Sequence, residues 1–165
     1  MGKRVIERPH RLPRQAYVGH VTFAFTLCLD DRTLSLLAES SVRAIHEALE
    51  AIVAEYEVTV PIALLMPDHM HLMLQGNNER SDLKTALERF KFKTGWWFYR
   101  SNLGLRWQKN YYDHAPRGDD AWRKHARYIA ENPVRKGLTK DCSEWPYVWA
   151  VGHNLREVLY DGYDR

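Results

Sequence analysis

Cysteine is scarce: Cys28 and Cys142 are the only two in 165 residues. They could close at most one bridge, which excludes a disulfide scaffold and a cysteine-based metal ribbon and fits a reducing compartment. No uncharged apolar run reaches the roughly 18 residues that a helical membrane span needs, and no basic-then-apolar leader opens the chain. A cytoplasmic protein with no membrane partner is therefore expected. Internal repeats and low-complexity tracts are also missing. What is there, 45% hydrophobic and 27% charged residues, is the balance of a globular domain, and roughly 70% of the unfolded surface of such a chain can be buried around one core.

The formal net charge of +3 conceals a segregation. Residues 1 to 16 hold five Lys or Arg against one Glu, and residues 84 to 137 hold thirteen against five acids. Residues 17 to 83 reverse this with three against ten, and residues 138 to 165 hold three against five. The basic central third is interleaved with aromatics, among them Phe92, Trp96, Trp97, Tyr99, Trp107, Tyr111, Tyr112 and Tyr128. Positive charge for phosphates beside flat faces for bases is the composition of a nucleic-acid surface, although solvated helix faces over aromatic cores would look similar.

Apolar spacing sets the elements. Residues 1 to 16, with Pro9 and Pro13 among Arg and His, have no apolar period and are expected to form a basic arm. Tyr17 to Leu29 has the β-branched and aromatic content of a strand. Leu37, Val42, Ile45, Leu49, Ile52 and Tyr56 recur at helical spacing. Glu57 to Leu65 and His69 to Gln75 predict a hairpin around Met66-Pro67-Asp68. A helix from Ser81-Asp82 to about Tyr99 precedes stop signals at Asn102 and Gly104. Leu105 to His114 predicts a strand or a strand and turn, and Ala121 to Glu131 a helix that Pro133 ends. The stretch from Trp145 to Tyr160 is less legible. The order β-α-β-β-α-β with further helix predicts an α+β, ferredoxin-like split βαβ fold: an antiparallel sheet with helices on one face, the other face free for a ligand, plus a further helix and a C-terminal extension. Positions 17 to 150 would form the domain and 151 to 165 a tail packed on it.

Two local patterns carry chemistry. In His69-Met70-His71 on a strand, the two imidazoles share one sheet face, roughly 7 Å apart at the backbone, and can converge on one divalent ion. Across Tyr128-Ile129-Ala130-Glu131-Asn132-Pro133, Tyr128 and Asn132 lie one helical turn apart. They would present a phenol, a competent nucleophile when a cation stabilises its anion, beside an amide oxygen suited to a hard metal ion. A core tyrosine and a polar helix end would have the same spacing.

The string 66–74, MPDHMHLML, followed by 107–114, WQKNYYDH, and then by 126–138, ARYIAENPVRKGL, resembles the single-tyrosine HUH transposases, and in particular their REP-associated tyrosine branch. The resemblance covers about residues 15 to 150. It implies that His69, His71 and Asn132 hold a divalent metal ion, Mg2+ or Mn2+, and that Tyr128 attacks a scissile phosphate of single-stranded DNA to form a 5′-phosphotyrosine link. The implied partner is single-stranded DNA with a hairpin made by a palindromic repeat, which would place the protein at the nucleoid. The protein would act as a monomer or as a homodimer that exchanges tyrosine helices. Backbone contacts are then expected from Arg4, Arg8, Arg11 and Arg14 of the arm and from Lys91, Lys93, Arg100, Arg106, Lys109, Arg117, Arg123, Lys124 and Arg127. Trp96, Trp97 and Trp107 are candidates for stacking or for the core. Three alternatives stand beside this reading: Tyr111 or Tyr112 as the nucleophile, a nucleic-acid-binding module of the same fold without catalysis, and an unrelated small metalloenzyme that uses the histidine pair for hydrolysis.

Overall fold

In the computed structural model, which describes residues 12 to 161, a 3-10 turn at Arg14–Tyr17 precedes strand β1 (Thr22–Cys28) and helix α1 (Glu39–Tyr56). Strands β2 (Val58–Leu65) and β3 (His69–Gly76), helix α2 (Leu83–Ser101) and the short strand β4 (Tyr112–His114) follow. Helices α3 (Ala121–Ala130) and α4 (Asn132–Arg135), strand β5 (Val148–Val151) and helix α5 (Leu155–Tyr160) complete the order. The strands form one sheet in the order β4-β1-β3-β2-β5, with every neighbouring pair antiparallel. This is the expected split βαβ arrangement, extended by β5 along the free edge of β2.

Alternation along the strands divides the interior in two. Phe23, Phe25 and Leu27 of β1 and Met70, Leu72 and Leu74 of β3 point to one face. There they meet Ile45, Leu49 and Ile52 of α1 and Leu83, Leu87 and Phe90 of α2. Each such side chain taken fully out of water contributes roughly 1.5–3 kcal/mol. The intervening residues, Ala24, Ile62, Leu64 and Met73, point to the other face. That face is not left free: Ala126, Ile129 and Ala130 of α3 and Val158 and Leu159 of α5 pack on it and form a second, smaller core.

Several local expectations are corrected. Tyr17 is not in a strand; it ends the 3-10 turn, wholly buried, and β1 begins only at Thr22 after Gly19 turns the chain at φ 97°. Pro133 ends α3 but also opens α4, where a proline at the first turn loses no hydrogen bond. Pro61 lies in β2, which is paired on both sides, and the register shifts at this point against both β3 and β5. A residue without an N–H can sit in an inner strand only at such a break. The expected boundary between 150 and 151 falls inside β5. The α2 limits agree with the sequence: Asp82 accepts a hydrogen bond from the Thr85 N–H at 3.0 Å, and Asn102 closes the helix in the left-handed conformation at φ 56°.

At the far end of β3 the backbone approaches itself closely. A Cβ added to Gly76 would lie 1.9 Å from the Gly19 carbonyl oxygen, whereas one added to Gly95 within α2 would meet nothing within 4 Å. Gly76→Ala is therefore expected to lower unfolding stability by about 1–3 kcal/mol or more, while Gly95→Ala raises it by about 0.5–1 kcal/mol. Urea unfolding midpoints of the two variants check both signs.

Candidate active site

The histidine pair is built by the β1–β3 register. Thr26 lies opposite His71 and Cys28 opposite His69, and the sheet turns Met70 into the first core and both imidazoles to the second face. The rings stand nearly perpendicular with centroids 5.0 Å apart. His69 Nδ1–H donates to Asp68 Oδ1 at 2.7 Å, and since an ionised carboxylate only accepts, this fixes the tautomer that leaves Nε2 with a free lone pair. Asp68 also accepts from Arg32 Nε at 2.6 Å. Burial works against the charge of Asp68, but its bonds to Arg32 and His69 prevail and hold its carboxyl below the usual carboxylate range.

His71 is also largely withdrawn from solvent. Its Nδ1 lies 3.1 Å from Thr26 Oγ1, and its Nε2 is buried with no hydrogen-bond partner. Burial, reinforced by the nearby charges of His69, His125 and Arg135, pushes its pKa down to about 4. A neutral imidazole with an orphaned inner nitrogen, its other nitrogen set by a hydroxyl, has the donor chemistry of a metal ligand. The two histidines therefore fit a divalent ion on this face. Among the described residues no three His, Cys, Asp or Glu side chains converge in a metal-holding group.

Tyr128 reaches the same neighbourhood from α3. It is 58% exposed, so it is not a core tyrosine. Its ring stacks on His125 at 5.9 Å, and His125 in turn faces His114 of β4 at 4.8 Å. Arg135 of α4 folds back over Tyr128, with its guanidinium carbon 3.9 Å from the ring centroid and Nη2 donating to the Tyr128 carbonyl at 2.7 Å. His125 and Arg135, which both touch Tyr128, are also among the neighbouring charges that help hold the His71 pKa down. Asn132 opens α4, half-buried, beyond the single residue Glu131 that separates it from α3.

The aromatic and basic candidates separate sharply. Tyr111 is buried, edge-on to Phe25 in the first core, whereas Tyr112 is exposed opposite Thr26 and so shares the face of His71. Trp107 is buried and donates to Thr94 Oγ1 at 2.8 Å, Trp97 packs on the core, and Trp96 is exposed. Among the basic residues, Lys124, Arg127 and Arg123 share α3 with Tyr128, and Arg117 lies exposed in the loop before it. Arg123 covers Trp122 at 4.6 Å. Others serve the fold. Arg14 is not on the site: it bonds Asp82 and Thr85 at the start of α2, beside the opposite end of β3. Lys91 donates to the carbonyls of Gln108 and Lys109, and Lys93 pairs with Glu55 at 3.4 Å across α1 and α2. Arg106 is paired with Asp30, Arg100 sits over Trp96, and Lys109 is exposed. Arg4, Arg8 and Arg11 lie outside the described residues.

The sequence reading missed Arg135, His125 and Thr26. The signals were present for two of them: position 135 lies seven residues after Tyr128, two helical turns on, and position 125 lies three before it, both on its helical face. Thr26 became meaningful only with the strand pairing.

Two imidazoles side by side on a sheet face, and a tyrosine presented by a helix packed on that face, give the chain a histidine–tyrosine site. Comparison with known proteins agrees. The family described as "Transposase IS200 like" matches residues 18–132, and the chain belongs to this family. It is thus a transposase-type enzyme with a tyrosine nucleophile, and its similarity is to the REP-associated tyrosine branch. A REP-associated tyrosine transposase of Escherichia coli K12 is 26% identical over 136 residues, 81% of this chain and 79% of that protein. A Haemophilus influenzae protein provisionally given the same name is 27% identical over 136 residues, covering 76% and 77%. A solved structure of a REP-associated tyrosine transposase bound to a REP hairpin superposes with a TM-score of 0.71 at 25% identity, covering 84% of this chain and 81% of that one.

The burial of His71 has a measurable consequence. Its folded pKa of about 4 lies below the ordinary 6.5, so between these values the unfolded chain binds a proton that the folded chain does not. Its contribution to stability is complete above pH 6.5 and is lost as pH falls toward 4. In chelator-treated protein, acidification from pH 7 to 4.5 should cost the parent about 2 kcal/mol more than it costs His71→Gln, measured by urea unfolding. Equal losses would show that His71 is not held neutral by the fold.

Proposed function

We propose that the chain is a metal-dependent single-stranded DNA endonuclease and strand transferase acting at hairpin-forming repeat DNA. Tyr128 is its nucleophile, and His69, His71 and Asn132 are its metal ligands. The observation that carries this reading is the orphaned, neutral Nε2 of His71 on the same sheet face as Tyr128, with His125 and Arg135 touching one and acting on the other. Its family membership and its likeness to a transposase solved with a REP hairpin support the choice of DNA.

In this reading the Tyr128 oxygen gives up its proton and attacks the scissile phosphorus. The bond from phosphorus to the 3′ oxygen breaks, that oxygen takes a proton and leaves as a 3′-hydroxyl, and a 5′-phosphotyrosine link remains. The phosphoester is conserved, so a 3′-hydroxyl can later displace the tyrosine and rejoin strands without ATP. A divalent ion held by the histidines and the Asn132 amide oxygen would polarise the phosphate and orient it for in-line attack. Arg135 holds the Tyr128 ring and backbone in place and keeps positive charge beside the forming anion. Lys124, Arg127 and Arg117 carry the approaching phosphates. In this reading Tyr128 serves the histidine pair of its own chain, so the protein works as a monomer on DNA in the cytoplasm; the helix α3 that carries Tyr128 packs on the sheet face that bears the histidines.

The test is a denaturing gel after incubation with hairpin-forming single-stranded DNA and Mn2+ or Mg2+. A covalent protein–DNA adduct is expected. Tyr128→Phe should abolish it, and His69→Ala, His71→Ala or excess chelator should lower its rate by roughly 10³-fold. Sequence-specific binding with no adduct over a broad set of hairpins would indicate the non-catalytic module instead, and an adduct that survives Tyr128→Phe would shift the role to Tyr112. Arg135→Ala, which removes the contact over the ring, should slow adduct formation about tenfold while leaving the unfolding midpoint within a small margin of the parent.

A further inference from the structure

Helix α2 hides one side and displays another that no part of the site above uses. Leu83, Ala86, Leu87, Phe90, Thr94 and Phe98 face the first core. On the outward side Phe92, Trp96 and Tyr99 are 64%, 55% and 78% exposed, at the i, i+4, i+7 spacing that aligns side chains along one helix face. Three large aromatics turned together into water on a globular domain mark a surface that another molecule covers. Their arrangement is specific: the Trp96 and Tyr99 rings stack at 6.2 Å and 28°, the Arg89 guanidinium lies 5.3 Å from the Phe92 centroid, and that of Arg100 lies 5.7 Å from Trp96. Neither arginine belongs to an ion pair among the described residues.

The charge of the helix selects the occupant. Beside Lys91 and Lys93, which are engaged within the fold, Lys84, Arg89 and Arg100 stand on α2 against the single acid Glu88. The same spacing would suit a seam with a second copy of this helix, but two copies would bring like charges together. A polyanion with flat apolar groups is complementary in both respects: bases stack on exposed aromatic rings and phosphates pair with guanidinium groups. The stripe also leads toward the site. Beyond the end of α2, the Asp30 N–H donates to the Arg106 carbonyl and the Gln108 N–H to the Cys28 carbonyl, both at 2.8 Å, and Cys28 is the register partner of His69. The Tyr99 end of the stripe therefore lies at the same end of the sheet as the histidine pair.

We propose that the Phe92–Trp96–Tyr99 face of α2 is a second nucleic-acid site, which holds single-stranded DNA flanking the hairpin by stacking bases on Trp96 and Tyr99 and pairing phosphates with Arg89 and Arg100. It rests on the reading of DNA as substrate, but it involves none of the residues assigned to cleavage.

The probe is a fluorescent (dT)20, which forms no hairpin, with binding followed by anisotropy at fixed salt. Trp96→Ala with Tyr99→Ala is expected to weaken (dT)20 binding about tenfold or more, whereas Trp96→Phe retains most of it. Arg100→Gln should reduce the slope of log affinity against log salt by about one. The three residues changed, Trp96, Tyr99 and Arg100, are all solvent-facing, and a thermal melt matching the parent verifies folding. Unchanged (dT)20 affinity in the double variant overturns the proposal. So does a concentration-dependent dimer, seen by sedimentation, that Trp96→Ala dissolves while (dT)20 binding persists, since a second copy would then be the occupant. The two proposals fail separately. If the parent makes no adduct on hairpin DNA but the double variant loses (dT)20 binding, the stripe stands and the nuclease reading falls. If the adduct forms and the double variant binds (dT)20 like the parent, the stripe alone falls.

Discussion

The antiparallel pairing of β1 with β3 is the constraint on which the rest of this molecule depends. It places Thr26 opposite His71 and leaves alternate residues of both strands to feed two different interiors. Met70, Leu72 and Leu74 anchor the strand beneath α1 and α2, and the force that buries them is what presents His69 and His71 on the other side. Side chains on a strand repeat every two residues, so the chemistry of one face cannot shift without exposing the core of the other. The site inherits its placement from the hydrophobic effect.

Much of this was legible from spacing alone. The helical recurrence at Ile45, Leu49 and Ile52, the alternation through His69 to Gln75, and the stop at Asn102 are local patterns with local causes, and the structure follows them. What spacing could not convey depends on distant partners. The short strand β5 is defined by its pairing with β2. The second core joins Leu64 to Ile129 and Val158, residues far apart in the chain. Helical spacing puts His125 and Arg135 beside Tyr128, but their influence on His71 depends on α3 docking on the sheet. The motif residues Tyr128, His69 and His71 could be named from the sequence, but the surroundings that keep His71 neutral and its Nε2 unpaired could not.

The basic residues show how a charge count misleads when it is not divided by task. Part of the positive excess between 84 and 137 is spent internally: Lys91 on loop carbonyls, Lys93 on Glu55, and Arg106 on Asp30. Exposed ion pairs of this kind add little stability, but they occupy the cation and remove it from any outside partner. Other cations stand on two separate elements, Lys124 on α3 near Tyr128, and Arg89 and Arg100 on the outer side of α2. A segment that reads as a single basic block is thus two surfaces, separated by the sheet and its first helical layer.

At the end of β3 remote from the histidines, Gly76 lies against the Gly19 carbonyl with no room for a side chain. A slip of β3 by two residues would preserve which side chains face each interior, so the hydrophobic pattern alone would tolerate it. It would, however, bring Leu74 or Asn78 to a place that only a glycine can occupy. The contact therefore works as an end stop during folding: it rejects the near-native misregistered sheet that burial alone would accept, and in doing so decides that His71, and no other residue of the strand, comes to rest beside Thr26.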